Sequence, residues 1–144
     1  MKKVLNIAIF VLLCIWQLPQ LLVAAVMLLF CGKLKLVAKR HYNYCFEGSK
    51  MKGGISLGPI CIVSKSLANY PEGVAHEIDG HTVDSKIMGP LYLLIVGLPS
   101  LMNATLNFTS CYYDFYAERW ANKHAGLEVN HYCRLEFKEK EVQE

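Results

Sequence analysis

The sequence predicts a membrane α+β protein, and three observations carry that expectation. Apolar residues make up 53% of the 144-residue chain and charged residues only 19%, with a mean hydropathy of +0.26, high for a soluble domain. The apolar residues concentrate in two blocks, 4–31 and 89–108. Between them, residues 41–66 change character to aromatic and β-branched residues around a Gly/Ser/Lys turn. The length bounds the chain at one domain. A net charge of +3, with no basic helix interleaved with aromatics, argues against nucleic acid. The six cysteines form no C-x-x-C pair, so they read as mostly reduced thiols rather than a disulfide framework or a zinc knuckle.

Each element has its own signal. Residues 4–31, "VLNIAIFVLLCIWQLPQLLVAAVMLLFC", carry no charge and exceed the ~20 apolar residues that cross a bilayer. Proline removes a donor and kinks a helix, and glutamines at mid-depth need partners. Gln17, Pro19 and Gln20 therefore predict a kinked transmembrane helix, with two short dipping helices as the other arrangement. Lys33, Lys35, Lys39 and Arg40 outnumber Lys2 and Lys3, which puts the loop after this segment on the cytoplasmic side. "ISLGPICIV" contains Gly58 and Pro59, which demote it to an edge or bulged strand of a β-hairpin. "NYPEGVAHEIDGHTVDSKIM" reads as a helix opened by Pro71 and Glu72 and stopped by Gly89-Pro90. Residues 89–108 are apolar again, broken at "GLPS". "SCYYDFYAERWANKHAG" reads as an amphipathic helix ended by Gly126, and the charged tail "RLEFKEKEVQE" as solvated. The chain divides into a membrane segment, 1–32, and a domain, 33–144, that includes the apolar stretch 89–108.

The stretch "AHEIDGHTVDS" holds the chemistry. In H-E-x-x-H an ideal helix puts two imidazoles ~40° apart on one face, as two zinc ligands. The glutamate after the first histidine then takes a proton from the attacking water. Together with "YAERWANKHAG", this stretch resembles the gluzincin metallopeptidases, especially the membrane-embedded kind, which carry H-E-x-x-H, a membrane segment and then E-x-x-A-D. The wider pattern "HEIDGHTVDSKIMGPLYLLIVGLPS" also resembles small uncharacterised bacterial membrane proteins with HEYGHT…GPLYL…GLPS. The resemblance implies a minimal zincin-like domain in a bacterial cytoplasmic membrane. His76, His81 and Glu118 would be ligands of Zn²⁺, and Glu77 the general base. Two departures stand out: Asn122 replaces the aspartate of E-x-x-A-D, and His76 and His81 are five apart, not four.

At i, i+5 an ideal helix separates two side chains by ~140°. Three outcomes are open. A π-bulge around Ile78–Gly80 would realign the histidines, and Gly80 eases such a deformation. Glu77 and His81, four apart, could instead pair with Glu118. Or the site is dead. Topology bears on the same choice. A continuous span over 89–108 would part Glu118 from His81 by ~30 Å, whereas a re-entrant hairpin turning at Gly97-Leu98-Pro99 would bring them together.

Other residues read less sharply. Asp84 is either a partner to a ligand imidazole or a surface acid near Lys86, and Asp114 is open in the same way. His41, His124 and His131 read as polar surface histidines. Tyr112, Tyr113 and Tyr116 read as an interfacial aromatic belt, with donation to a tetrahedral intermediate as the rarer role. The edge strand would take an extended peptide by backbone pairing, or simply pack over the helix. The expected function is a membrane-bound zinc-dependent metallopeptidase acting on membrane-adjacent peptide or protein. Its rivals are a non-catalytic membrane-anchored binding or scaffold protein and, from Gln17 and Gln20 alone, a small transport subunit.

Overall fold

The computed structural model describes residues 2–127, so His131, Cys133 and the charged tail lie outside the described residues. The apolar start forms two helices, α1 (Lys2–Trp16) and α2 (Leu18–Phe30), bent 84° from each other. Pro19 sits in the first turn of α2, where its missing N–H has no helical partner to lose. The break therefore falls just ahead of it, and the single kinked span expected from the sequence is corrected to two helices. Among the described residues no single helix is long and apolar enough to cross a membrane, although this bent pair passes on length and composition.

Both buried glutamines find partners at the bend. Gln17 Nε2 donates to the Leu13 carbonyl (3.0 Å), Ser85 Oγ donates to Gln17 Oε1 (2.8 Å), and Gln20 Nε2 donates to the Gly89 carbonyl. These bonds fasten the N-terminal helices to the helix that carries the histidines.

Four strands follow: β1 (Leu34–Arg40), β2 (Asn43–Gly48), β3 (Gly54–Leu57) and β4 (Ile60–Val63). They form one mixed sheet in the order β1-β2-β4-β3, with β2 and β4 parallel and the outer pairs antiparallel. Two expectations change here. The lysine-rich loop after the first apolar block is strand β1, an outer strand whose exposed lysines suit a sheet edge. "ISLGPICIV" is not one bulged strand but a hairpin of its own, turning at Gly58 (φ +68°) and Pro59. That turn leaves β3 as the second edge.

Helix α3 (Lys65–Ala68) is capped by Ser64, whose Oγ accepts from the Leu67 N–H. Helix α4 (Pro71–Leu91) runs α (Pro71–Ala75), π (His76–His81), α (Thr82–Met88) and a closing 3₁₀ turn (Gly89–Leu91). Val74 and Ile78, four apart, lay one face of α4 on Cys45, Cys61 and Val63 of the sheet. Helix α5 (Leu93–Leu106) leaves at 117° to α4, and helix α6 (Tyr116–Ala125) packs Ala117 against Tyr92 and Val96.

The expected hairpin turning at Gly97-Leu98-Pro99 does not form, because α5 runs through those residues as a π turn (Leu93–Gly97) followed by an α stretch (Leu98–Leu106). Pro99 cannot donate to the carbonyl of Ile95, four residues before it. That carbonyl accepts a hydrogen bond from the Tyr116 hydroxyl instead. The reversals lie on either side: at Gly89 (φ +52°), and at Asn107, whose left-handed conformation ends α5. The chain then returns along α5, with Asn103 Nδ2 donating to the Tyr112 carbonyl (3.4 Å) and Thr109 Oγ1 to Asn103 Oδ1 (3.3 Å). Cys14, Cys31, Cys45 and Cys61 are free thiols, as expected, whereas Cys111 is disulfide-bonded.

Gly80 sets how closely α4 and α6 approach. A Cβ there would lie 2.5 Å from the Ala121 carbonyl oxygen, a backbone atom that cannot swing aside. Gly80→Ala is expected to cost about 1–3 kcal/mol of overpacking. The check is the thermal midpoint of the purified chain followed by circular dichroism, which should fall.

Candidate metal centre

The site begins with the extra residue in "HEIDGH". In the π stretch the Thr82 N–H reaches back five residues to the Glu77 carbonyl, so the turn absorbs one residue. The Ile78 carbonyl, which loses that N–H, accepts from Thr82 Oγ1 and from Asn43 Nδ2 (3.1 Å) on β2. The Glu77 carbonyl also accepts from Ser56 Oγ (3.1 Å) on β3. The sheet thus supplies a donor for the carbonyl that the distortion frees and an extra one for its neighbour. Realigned in this way, the His76 and His81 rings stand edge to face with centroids 4.8 Å apart.

Glu118 arrives from α6. One of its oxygens, Oε2, lies 3.0 Å from His76 Nε2 and 3.2 Å from His81 Nε2. The other, Oε1, accepts from Ser100 Oγ (2.7 Å) at the start of the α stretch of α5. All three residues are buried, and their ligand atoms lie within 4.8 Å of one another. His76, His81 and Glu118 are therefore a group that could hold a metal ion. The alternative pairing of Glu77 with His81 is not the one that forms.

The arrangement fits a cation on two counts. His76 Nδ1 lies 2.7 Å from Asn122 Oδ1, an atom that only accepts, so Nδ1 donates there and Nε2 is the nitrogen that faces Glu118. A nitrogen lone pair and a carboxylate oxygen repel at 3.0 Å unless a proton or a metal ion sits between them. The spacings of 3.0 and 3.2 Å are also close to the ~3.4 Å ligand–ligand edge of a tetrahedron built on ~2.0–2.1 Å metal–ligand bonds.

The electrostatics point the same way. Burial alone would lower the His81 pKa, but the Asp84 and Glu118 carboxylates outweigh it and raise the pKa to about 10. Burial would raise that of Glu118, and the two imidazoles override it and hold the carboxyl well below the usual range. Without a metal the cluster is a buried ion pair, an arrangement weak as a source of stability but suited to exchange protons for a cation.

Glu77 reaches β3. Its Oε2 accepts from Ser56 Oγ (2.6 Å), and its Oε1 lies where a Cβ on Gly54 would sit. Glu77 and His81 open into a cavity of about 300 Å³ between β3, α4, α5 and Val23 of α2. Leu93, Val96, Leu98 and Leu101 make most of its wall apolar, and Tyr112 and Ser100 add polar atoms.

The structure also revises the lesser candidates. Asp84 is 1% exposed and faces His81 and His124, not the surface. Asp114 and His41 are exposed. The three tyrosines have separate partners. Tyr112 lines the cavity, Tyr113 stands edge-on to His76 with centroids 5.5 Å apart, and Tyr116 serves the Ile95 carbonyl. Ser56, Ser100 and Asn43 were not singled out in the sequence, because small polar residues carry no spacing signal of their own. Asn122 was noticed only as a departure, yet its amide still supplies the acceptor that His76 needs.

Comparison with protein-family models, with curated proteins and with solved structures finds no match. The reading of the site rests on its geometry.

The detergent-purified chain, dialysed against zinc, is expected to hold one equivalent by elemental analysis. His81→Ala and Glu118→Ala should each reduce this to background. Asn122→Ala should retain the site but weaken affinity about 10–100-fold, the usual cost of losing a histidine's outer partner.

Proposed function

We propose that this protein is a membrane-bound, zinc-dependent metallopeptidase that cleaves extended peptide segments at the membrane surface. The observation that carries the reading is the convergence of His76 Nε2, His81 Nε2 and Glu118 Oε2 beside a cavity that also holds Glu77. Two imidazoles and one carboxylate suit zinc, with a position left open. When bound, zinc would supply a Lewis acid that polarises the scissile carbonyl and acidifies water.

The chain's own residues account for the rest. Glu77 is the general base, accepting a proton from the attacking water and delivering it to the leaving amine. Ser56 Oγ and the absence of a Cβ at Gly54 hold its carboxylate at the cavity wall. Burial and the Glu118 charge push the Tyr112 hydroxyl pKa well above its usual value, so it keeps its proton at neutral pH and can donate to a developing oxyanion. Edge strand β3 forms another wall, where an extended substrate pairs its backbone with little demand on sequence. The apolar lining favours hydrophobic side chains next to the cleaved bond.

The membrane part of the reading rests on exposed apolar surface. Helix α1 has no buried residue, and Val4, Ile7, Leu12 and Ile15 are each more than 60% exposed. Leu29 and Phe30 of α2 and Leu94 of α5 are exposed as well, and lipid would cover such residues. The positive charge of β1 supports a site on the cytoplasmic face of a bacterial cytoplasmic membrane.

Two variants test the mechanism with metal content as the control. Glu77→Gln is expected to keep full zinc occupancy while lowering turnover of a quenched fluorescent peptide about 10²–10⁴-fold. Gly54→Ala drives a methyl into the Glu77 carboxylate, so it too should lose turnover without losing zinc. A zinc-replete wild type with no turnover on any apolar peptide would leave a non-catalytic binding protein.

A further inference from the structure

The two ligand imidazoles are supported differently, and the difference exposes a brace that the peptidase motif does not contain. His76 Nδ1 is satisfied by a neutral amide, Asn122, at 2.7 Å. His81 Nδ1 makes no hydrogen bond and faces a carboxylate, Asp84 Oδ2, at 3.6 Å. Asp84 is 1% exposed, and neither of its oxygens makes an aligned hydrogen bond. The ionisable groups beside it are His81 and, at 2.8 Å from Oδ1, the Nδ1 of His124 on α6. A buried carboxylate without hydrogen-bond donors is costly to keep, so its place between two imidazoles calls for an account.

We propose that Asp84 and His124 are positioning residues of the metal centre. His124 holds the Asp84 carboxylate against His81 Nδ1, so that His81 Nε2 stays directed at the metal. The proposal rests on the metal-centre reading of His76, His81 and Glu118. The chain of contacts runs from His124 through Asp84 and His81 to Glu118, and it joins both ends of α6 to α4 around one ion. The 3.6 Å gap is only ~0.7 Å longer than an N–H···O bond. A carboxylate partner on a ligand histidine fixes its tautomer and strengthens it as a donor, which an amide does less well. His124 lies six residues after Glu118, nearly two turns along the same helix, so a single rigid element sets both a ligand and the brace.

The test uses the full chain in detergent, with zinc affinity measured by competition against a fluorescent chelator and Co²⁺ loading followed by its visible absorption. Asp84→Asn and His124→Ala are each expected to weaken zinc binding about 10–100-fold and to shift the Co²⁺ bands in the same direction. The double variant should bind no more weakly than Asp84→Asn alone, because His124 acts through Asp84. His124→Asn, which returns an N–H donor, should recover most of the loss, and Asp79→Asn on the outer side of α4 should change nothing. Wild-type affinity in His124→Ala overturns the proposal, and so do additive losses in the double variant. A lower melting temperature of the metal-free variants with unchanged affinity assigns the pair to stability alone and also overturns it. A wild type that binds neither zinc nor Co²⁺ removes the metal centre itself, a failure distinct from the others.

Discussion

One hydrogen-bond shift holds the site together. Where an α-helix would join the Thr82 N–H to the Ile78 carbonyl, the π turn joins it to Glu77, and five residues occupy the angular space of four. Without that shift His76 and His81 would point to different sides of α4, and Glu118 could meet only one of them. The distortion is supported from outside the helix. On the sheet Asn43 takes up the freed Ile78 carbonyl and Ser56 adds a bond to that of Glu77, and Gly80 lets α6 approach within contact of the widened turn. Sheet, helix and C-terminal helix therefore meet at six residues.

Much of this was legible in the sequence, and the reasons are local. The anomaly of a five-residue spacing with a glycine inside it made a π-bulge around Ile78–Gly80 one of three open outcomes, and the structure has that distortion over His76–His81. Glu118 entered only through the resemblance of Glu118-Arg119-Trp120-Ala121-Asn122 to the E-x-x-A-D of the gluzincins. The strands around Gly58-Pro59 were placed but miscounted. Glycine and proline mark a tight turn as readily as a bulge, and only the pairing with β2 decides between them. The segment through Gly97-Leu98-Pro99 was misread for a related reason. A proline breaks a helix when its orphaned carbonyl has no other donor, and here the donor is Tyr116, distant in sequence.

The apolar segments carry a second lesson. Gln17 and Gln20 are the polar residues that composition could not explain, and they turn out to be fully buried contacts to Ser85 and Gly89. Ser100, inside the other apolar block, reaches Glu118. In both blocks the polar exceptions tie hydrophobic helices to the histidine helix and its ligands. Hydropathy profiles average over such residues, which is why their targets could not be read from sequence.

The edge strand β3 has only four residues, Gly54–Leu57. At ~3.3 Å per residue it offers a ladder of ~13 Å, enough for a handful of backbone bonds. So short a rail cannot pry open a folded partner, because the few bonds it supplies do not offset the cost of unravelling regular structure. On the proposed peptidase reading, a chain laid along it would have to be stretched out before it arrives, which would favour termini and frayed loops before any side chain is inspected.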